Sequence, residues 1–193
     1  MFKRSFILFI AVLFCGAVFG KVTIVVNSGE FESVEQAGLG EKQVDFWDND
    51  FTDDRACSEC FAALELRDFL LKVTDLQEDE IVFTDDDEMP LSGDVFVIGS
   101  SESNKQIKQT DGQFENDQCY RIKAFKDDGR IVTYIKGADR IGSLYGVYEY
   151  LSRLEIRFYG LGEKGTVYPE GEVENLKNMD VTGIGLCTFD IMV

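Results

Sequence analysis

The sequence contains no histidine, which excludes a Ser-His-Asp triad, a histidine general base and any histidine-ligated metal site. Cations are scarce: 19 Lys and Arg stand against 36 Asp and Glu, a formal charge of −17. Such a field repels nucleic acid and anionic membrane surfaces, so neither is an expected partner. No second Cys-x-x-Cys joins Cys57 and Cys60 to complete a zinc site, and no strand leads into that pair as in a thioredoxin-like motif. Acid–base catalysis by paired carboxylates needs two acids at a set separation, yet no local motif singles out a pair from so many acids. No catalytic residue, metal or cofactor is therefore expected.

What is present begins with an export signal over residues 1–20. Lys3 and Arg4 supply the charged start, Phe6 to Phe14 an apolar core too short to span a bilayer comfortably, and Val18 and Gly20 the small residues before cleavage. A secreted, periplasmic or cell-envelope location follows, with no membrane contact once the signal is cleaved. A retained anchor is one rival reading. A lipoprotein modified at Cys15 is another, although bulky Phe14 fits that cleavage chemistry poorly. Cleavage leaves roughly 170 residues, enough for one domain with a sizeable core and short of the about 250 that a (β/α)8 barrel needs. Cys57, Cys60, Cys119 and Cys187 remain. Four cysteines in an exported chain permit two disulfides in any of three connectivities, and the alternative is packing as buried thiols.

The most consistent pattern is Gly137 to Tyr159. Asp139 caps a helix whose apolar residues Ile141, Leu144, Tyr145, Tyr148 and Leu151 recur at helical spacing, and Ile156 to Tyr159 then read as extended. Gly142 and Gly146 inside the helix point to close packing on a sheet. Upstream, Lys21 to Asn27 alternates as a strand, and residues 28–54 form a long acidic connection with a short strand expected at Gln43 to Trp47. Asp53 and Asp54 are expected to cap a helix over Arg55 to Thr74 whose face is Ala62, Leu66, Phe69, Leu70 and Val73. Asp48, Asp50, Thr52, Asp54 and Glu59 match positions 1, 3, 5, 7 and 12 of an EF-hand loop, but Asp53 stands where the turn needs glycine. Ile81 to Thr84 and Val95 to Ser100 are short buried strands around the acidic loop Asp85 to Glu88, which reads as solvated rather than as a cation site. Cys119 to Phe125 and Arg130 to Lys136 form a hairpin around Lys126-Asp127-Asp128-Gly129.

The run Gly137-Ala138-Asp139-Arg140, through Leu144-Tyr145-Gly146-Val147-Tyr148-Glu149-Tyr150-Leu151 to Arg157-Phe158-Tyr159, resembles the end of the N-terminal α/β domain of α-glucuronidases. Similar domains precede the catalytic barrel in β-N-acetylhexosaminidases and related secreted glycoside hydrolases. The helix at 55–74 and the apolar strand ending at Gly99-Ser100 extend the likeness, while Glu155 departs from it where the family has glycine. With the periodicities, the resemblance implies an α+β fold: a mixed, largely antiparallel sheet of about five or six strands with two main helices on one face. It implies a domain over 21–170, then a linker or truncated tail over 171–193. It further implies a non-catalytic accessory role beside a catalytic barrel that lies outside this chain. The alternative is a free-standing carbohydrate-binding module, possible sugar contacts being Trp47, Tyr159 and Tyr168, with Phe46 and Phe51 further candidates, and polysaccharide the partner.

Overall fold

The computed structural model describes residues 21–107, 114–160, 162–171, 173 and 179–184. The export signal and Cys187 lie outside the described residues. The elements in chain order are β1 (Val22–Val25), α1 (Val34–Gly38), α2 (Phe51–Val73), β2 (Ile81–Thr84), β3 (Asp94–Gly99), β4 (Cys119–Asp127), β5 (Arg130–Gly137), α3 (Arg140–Arg153), β6 (Arg157–Phe158), β7 (Thr166–Val167) and β8 (Met179–Ile184).

Six strands form one mixed sheet in the order β2-β1-β3-β5-β4-β8. The α+β class and the two main helices are as the sequence indicated. The sheet is mixed as expected: β1–β2, β1–β3 and β3–β5 are parallel, and the longer β4–β5 and β4–β8 ladders are antiparallel. β1, β2 and β3 are short and almost wholly apolar, the pattern of strands covered on both faces, and α2 supplies the crossover that parallel neighbours require.

The main core lies between the sheet and the helices. Ile24, Phe96, Ile98, Ile122 and Ile135 of the sheet meet Leu66 and Leu70 of α2 and Val147, Tyr150 and Leu151 of α3. Phe96 and Tyr150 pack edge to face at 5.2 Å. Val25, Val95 and Val97 point to the other face, where Ile107 covers them.

Several local features have simple causes. Asp128 and Gly129 turn the β4–β5 hairpin with φ of +47° and +88°, the pair of left-handed residues that a two-residue hairpin loop demands. Asp139 caps α3 by accepting from the Gly142 amide at 2.7 Å. At its other end Glu155 adopts φ +68°, and the Glu155 and Ile156 amides bond the Ser152 and Leu151 carbonyls at 3.1 and 3.3 Å. That is a Schellman ending with a glutamate in the glycine position.

Four expectations are corrected. No strand forms at Gln43 to Trp47, because Asp45 and Asp48 accept from the Trp47 and Asp50 amides and bend the chain into turns. Helix α2 starts four residues early, since Asp50, not Asp53 or Asp54, accepts from the Thr52 amide and caps it. Strand β6 leaves the main sheet and pairs with β7. Finally, 171–193 is not wholly linker or tail: Met179–Ile184 add the sixth strand, in register with β4.

Candidate functional site

The polar groups that the fold buries most completely gather at the C-terminal ends of β1 and β3. Chain leaving β1 crosses to the helix side, whereas chain leaving β3 passes over the opposite face through Ile107. Such a divergence is the usual place for a site in an open sheet with parallel strands.

Glu59 is at its centre. It sits on the apolar stripe of α2, spaced with Ala63, Leu66, Leu70 and Val73, and is 0% exposed. Its Oε1 accepts from the Ser143 hydroxyl of α3 at 3.1 Å. Ser100 and Ser103 close over it from the turn after β3. Those two groups are engaged with each other, the Ser100 amide donating to Ser103 Oγ at 2.8 Å, and Glu59 Oε2 has no hydrogen bond. Burial therefore pushes the Glu59 carboxyl up to about 7, against the opposing pull of Ser103, Ser143, Arg55 and the Ser100 backbone. Gly99, at φ +142°, permits the closure: a Cβ there would lie 3.0 Å from Asn104 Cβ and 3.2 Å from Glu59 Oε2. Asn104, 1% exposed, donates to the carbonyls of Val25 and Ile98 at 3.3 and 2.9 Å and so ties the turn to both strands.

Two further buried carboxylates flank this centre. Asp54 is 2% exposed and lies 3.9 Å from Arg140, whose guanidinium also stacks 4.9 Å over the Phe46 ring. Burial raises its carboxyl, Arg140 opposes, and Asp53, Asp48 and Asp45 add to the rise. Asp86, 0% exposed, accepts from the Lys105 amide at 2.7 Å and from Asn27 Nδ2 at 3.3 Å. Asp85, Asp86 and Asp87 bring their oxygens within 4.8 Å of one another. The cation this turn holds is the Lys105 ammonium, 3.4 Å from Asp86 and 2.7 Å from Asp87. The EF-hand count does not correspond to a loop: Thr52, Asp54 and Glu59 are helical, and Glu59 is sealed in the core.

The aromatic candidates do not converge. Trp47 is 95% exposed in the turns before α2. Tyr168 packs on Phe69 near the far end of that helix, its hydroxyl 3.1 Å from Lys72. Position 47 and position 69 are therefore separated by most of α2, on the order of 25–30 Å at helical rise. Tyr159, 78% exposed, follows β6 beside Phe158, which packs on Phe69 and Tyr148. Among the described residues Cys57, Cys60 and Cys119 are buried free thiols, so no disulfide joins any two of them. Cys57 and Cys60 have their thiols pushed up by burial, which suits inert core cysteines.

Ser143 and Asn104 were absent from the sequence candidates, and Glu59 entered only as the twelfth position of the EF-hand count. The available signal was positional: Glu59 is a charged residue in register with the apolar stripe of its helix, a placement that requires a buried partner.

No protein-family profile matches the chain, and no curated protein does. Among solved structures it is similar to a family GH115 4-O-methyl-α-glucuronidase with specificity for decorated arabinogalactans, at 16% identity and a TM-score of 0.42, over 83% of this chain and 17% of that one. It is also similar to the protein CpGH84D, at 17% identity and a TM-score of 0.34, over 67% of this chain and 17% of the other. The chain thus spans about a sixth of the length of each.

Proposed function

We propose that this chain is the non-catalytic α/β accessory domain of a secreted, α-glucuronidase-like glycoside hydrolase, its catalytic barrel lying outside the sequence. One observation carries this reading: the residues that resemble the glucuronidase domain are occupied in packing. Gly142 brings α3 against the Cys119 carbonyl, Gly146 brings it against Ile135 and Tyr120, and Tyr150 and Leu151 are fully buried. Asp139 is spent on the cap. What the resemblance marks is a way of fastening a helix to a sheet, which a supporting domain uses and chemistry does not.

The buried carboxylates agree with a supporting role. Glycosidases hold two acids across an accessible cleft, about 5 to 10 Å apart. Asp54, Glu59 and Asp86 are instead each tied into the joints between elements, and none of them lines the open groove around Lys21, Thr74 and Arg130 or the one around Ser33, Arg67 and Phe83. Purified chain incubated with aryl glucuronides and aryl hexosaminides is expected to give no turnover above buffer. Measurable hydrolysis that co-purifies with the chain would refute the assignment.

A sugar-binding role is favoured by one feature, the exposure of Trp47. Since it is the only tryptophan, its fluorescence during titration with xylan or chitin oligomers reports that site alone. A saturable change would move the assignment to a binding module.

A further inference from the structure

Glu59 lies where three parts of the fold meet. Helix α2 carries it, α3 gives it the Ser143 hydroxyl, and Gly99, Ser100 and Ser103 close the third side. Ionised, it puts a charge in the core with only the Ser143 hydroxyl at hydrogen-bond distance; Ser103 and the Ser100 backbone pull toward that charge, burial outweighs them, and opening the turn to water relieves the cost. Protonated, its Oε2 becomes a donor facing the Ser103 hydroxyl. The turn it touches is also the one that Asn104 ties to the ends of β1 and β3 and that leads to Ile107 on the opposite face.

We propose that Glu59 is a proton-operated latch: protonated, it clamps the turn after β3 to α2 and α3, and ionised, it releases that turn and loosens the C-terminal ends of β1 and β3. The groups facing it make the switch local. On α2, Arg55 is the cation, and it is paired at 2.5 Å with Glu102 of the same turn, while Cys60 is a neutral thiol that burial and the nearby Glu59 charge push up. From α3 comes Ser143 and from the turn Ser100 and Ser103, all uncharged. From the end of β1 the Asn27 carbonyl accepts from Cys60 Sγ at 3.6 Å.

The direction follows from linkage. Burial places the folded carboxyl near 7, above its ordinary value of 4.5, so its favourable contribution is complete below the ordinary value and is lost as pH rises through 7. The test uses the purified chain. Hydrogen exchange of peptides covering 98–107, corrected for the intrinsic effect of pH, is followed from about pH 5.5 to 8.5 with thermal melts and a 13C-carboxyl NMR titration.

In the native sequence, corrected exchange of the turn should rise about tenfold across the range with a midpoint near 7, and Tm should fall in parallel. Glu59→Gln should abolish both trends. Ser143→Ala removes a hydrogen bond that favours the anion, so it should move the midpoint upward. Exchange that ignores pH, or trends that persist in Glu59→Gln, would overturn the latch. If that variant does not fold, the NMR titration of the native chain decides: a buried glutamate carboxyl titrating near 7 supports the latch, and all glutamates titrating in the ordinary range overturn it.

Discussion

Gly142 and Gly146 occupy the same face of α3 but are crowded by different things. A Cβ at Gly142 would strike the Cys119 carbonyl, a backbone group of β4 that also accepts the Ala138 amide at 2.8 Å. At Gly146 it would lie 2.7 Å from Ile135 Cγ2, a side-chain methyl of the core rather than backbone. Overpacking costs about 1–3 kcal/mol, and more where backbone must move. Gly142→Ala should therefore lose about 3 kcal/mol and Gly146→Ala about 1 kcal/mol. Urea unfolding measures both, and the reverse order would contradict the packing described. Glu155 presents the opposite case. Its left-handed backbone strains a side chain that is exposed and repays nothing through burial. Glu155→Gly should raise stability by about 0.5–1 kcal/mol in the same assay, and a loss would show that the glutamate side chain holds the helix end.

The small sheet of β6 and β7 depends on α2 rather than on its own length. Two residues per strand supply few bonds, among them the Tyr159 amide to the Gly165 carbonyl at 2.7 Å. Phe158 reaches Phe69 and Tyr148 at 5.3 and 5.2 Å, and Lys72 pairs with Glu163. An isolated hairpin this short is unstable in water. Phe69→Ala should accordingly raise hydrogen exchange at Tyr159 while leaving Phe96 and Ile135 in the main sheet protected. Equal loosening everywhere would mean that Phe69 belongs to the global core.

This is also the scale at which sequence pattern was most and least informative. The β4–β5 hairpin was legible because Asp128-Gly129 is a local instruction, and α3 because Asp139 and a clean apolar stripe coincide. Strand β6 was misassigned to the main sheet because a run as short as Arg157-Phe158 carries no period that says which neighbour it pairs with. Strand β8 was missed because Met179, Val181 and Gly183 are only half-buried and alternate with the exposed Asp180, Thr182 and Ile184, as befits a sheet edge. The parallel pairing of β1 with β2 is set by the crossover of α2, and that of β1 with β3 by the loop 85–93, both of which lie outside any single strand.

For the whole molecule, an apolar core between one sheet face and two main helices is what the amphipathic patterns indicated; the short helix α1 and the covering of the opposite face by the chain leaving β3 were not in those patterns. The joints between these layers were hidden because each uses residues distant in sequence. Glu59 and Ser143 are 84 positions apart, Asn104 and Val25 79. If these joints serve a supporting domain of a longer hydrolase, the native protein, detected with an antibody against this domain in secreted and envelope fractions, runs as a band heavier than the chain's 21.8 kDa by at least a barrel of about 250 residues. A single band at or just below the mass of the chain itself would contradict that role.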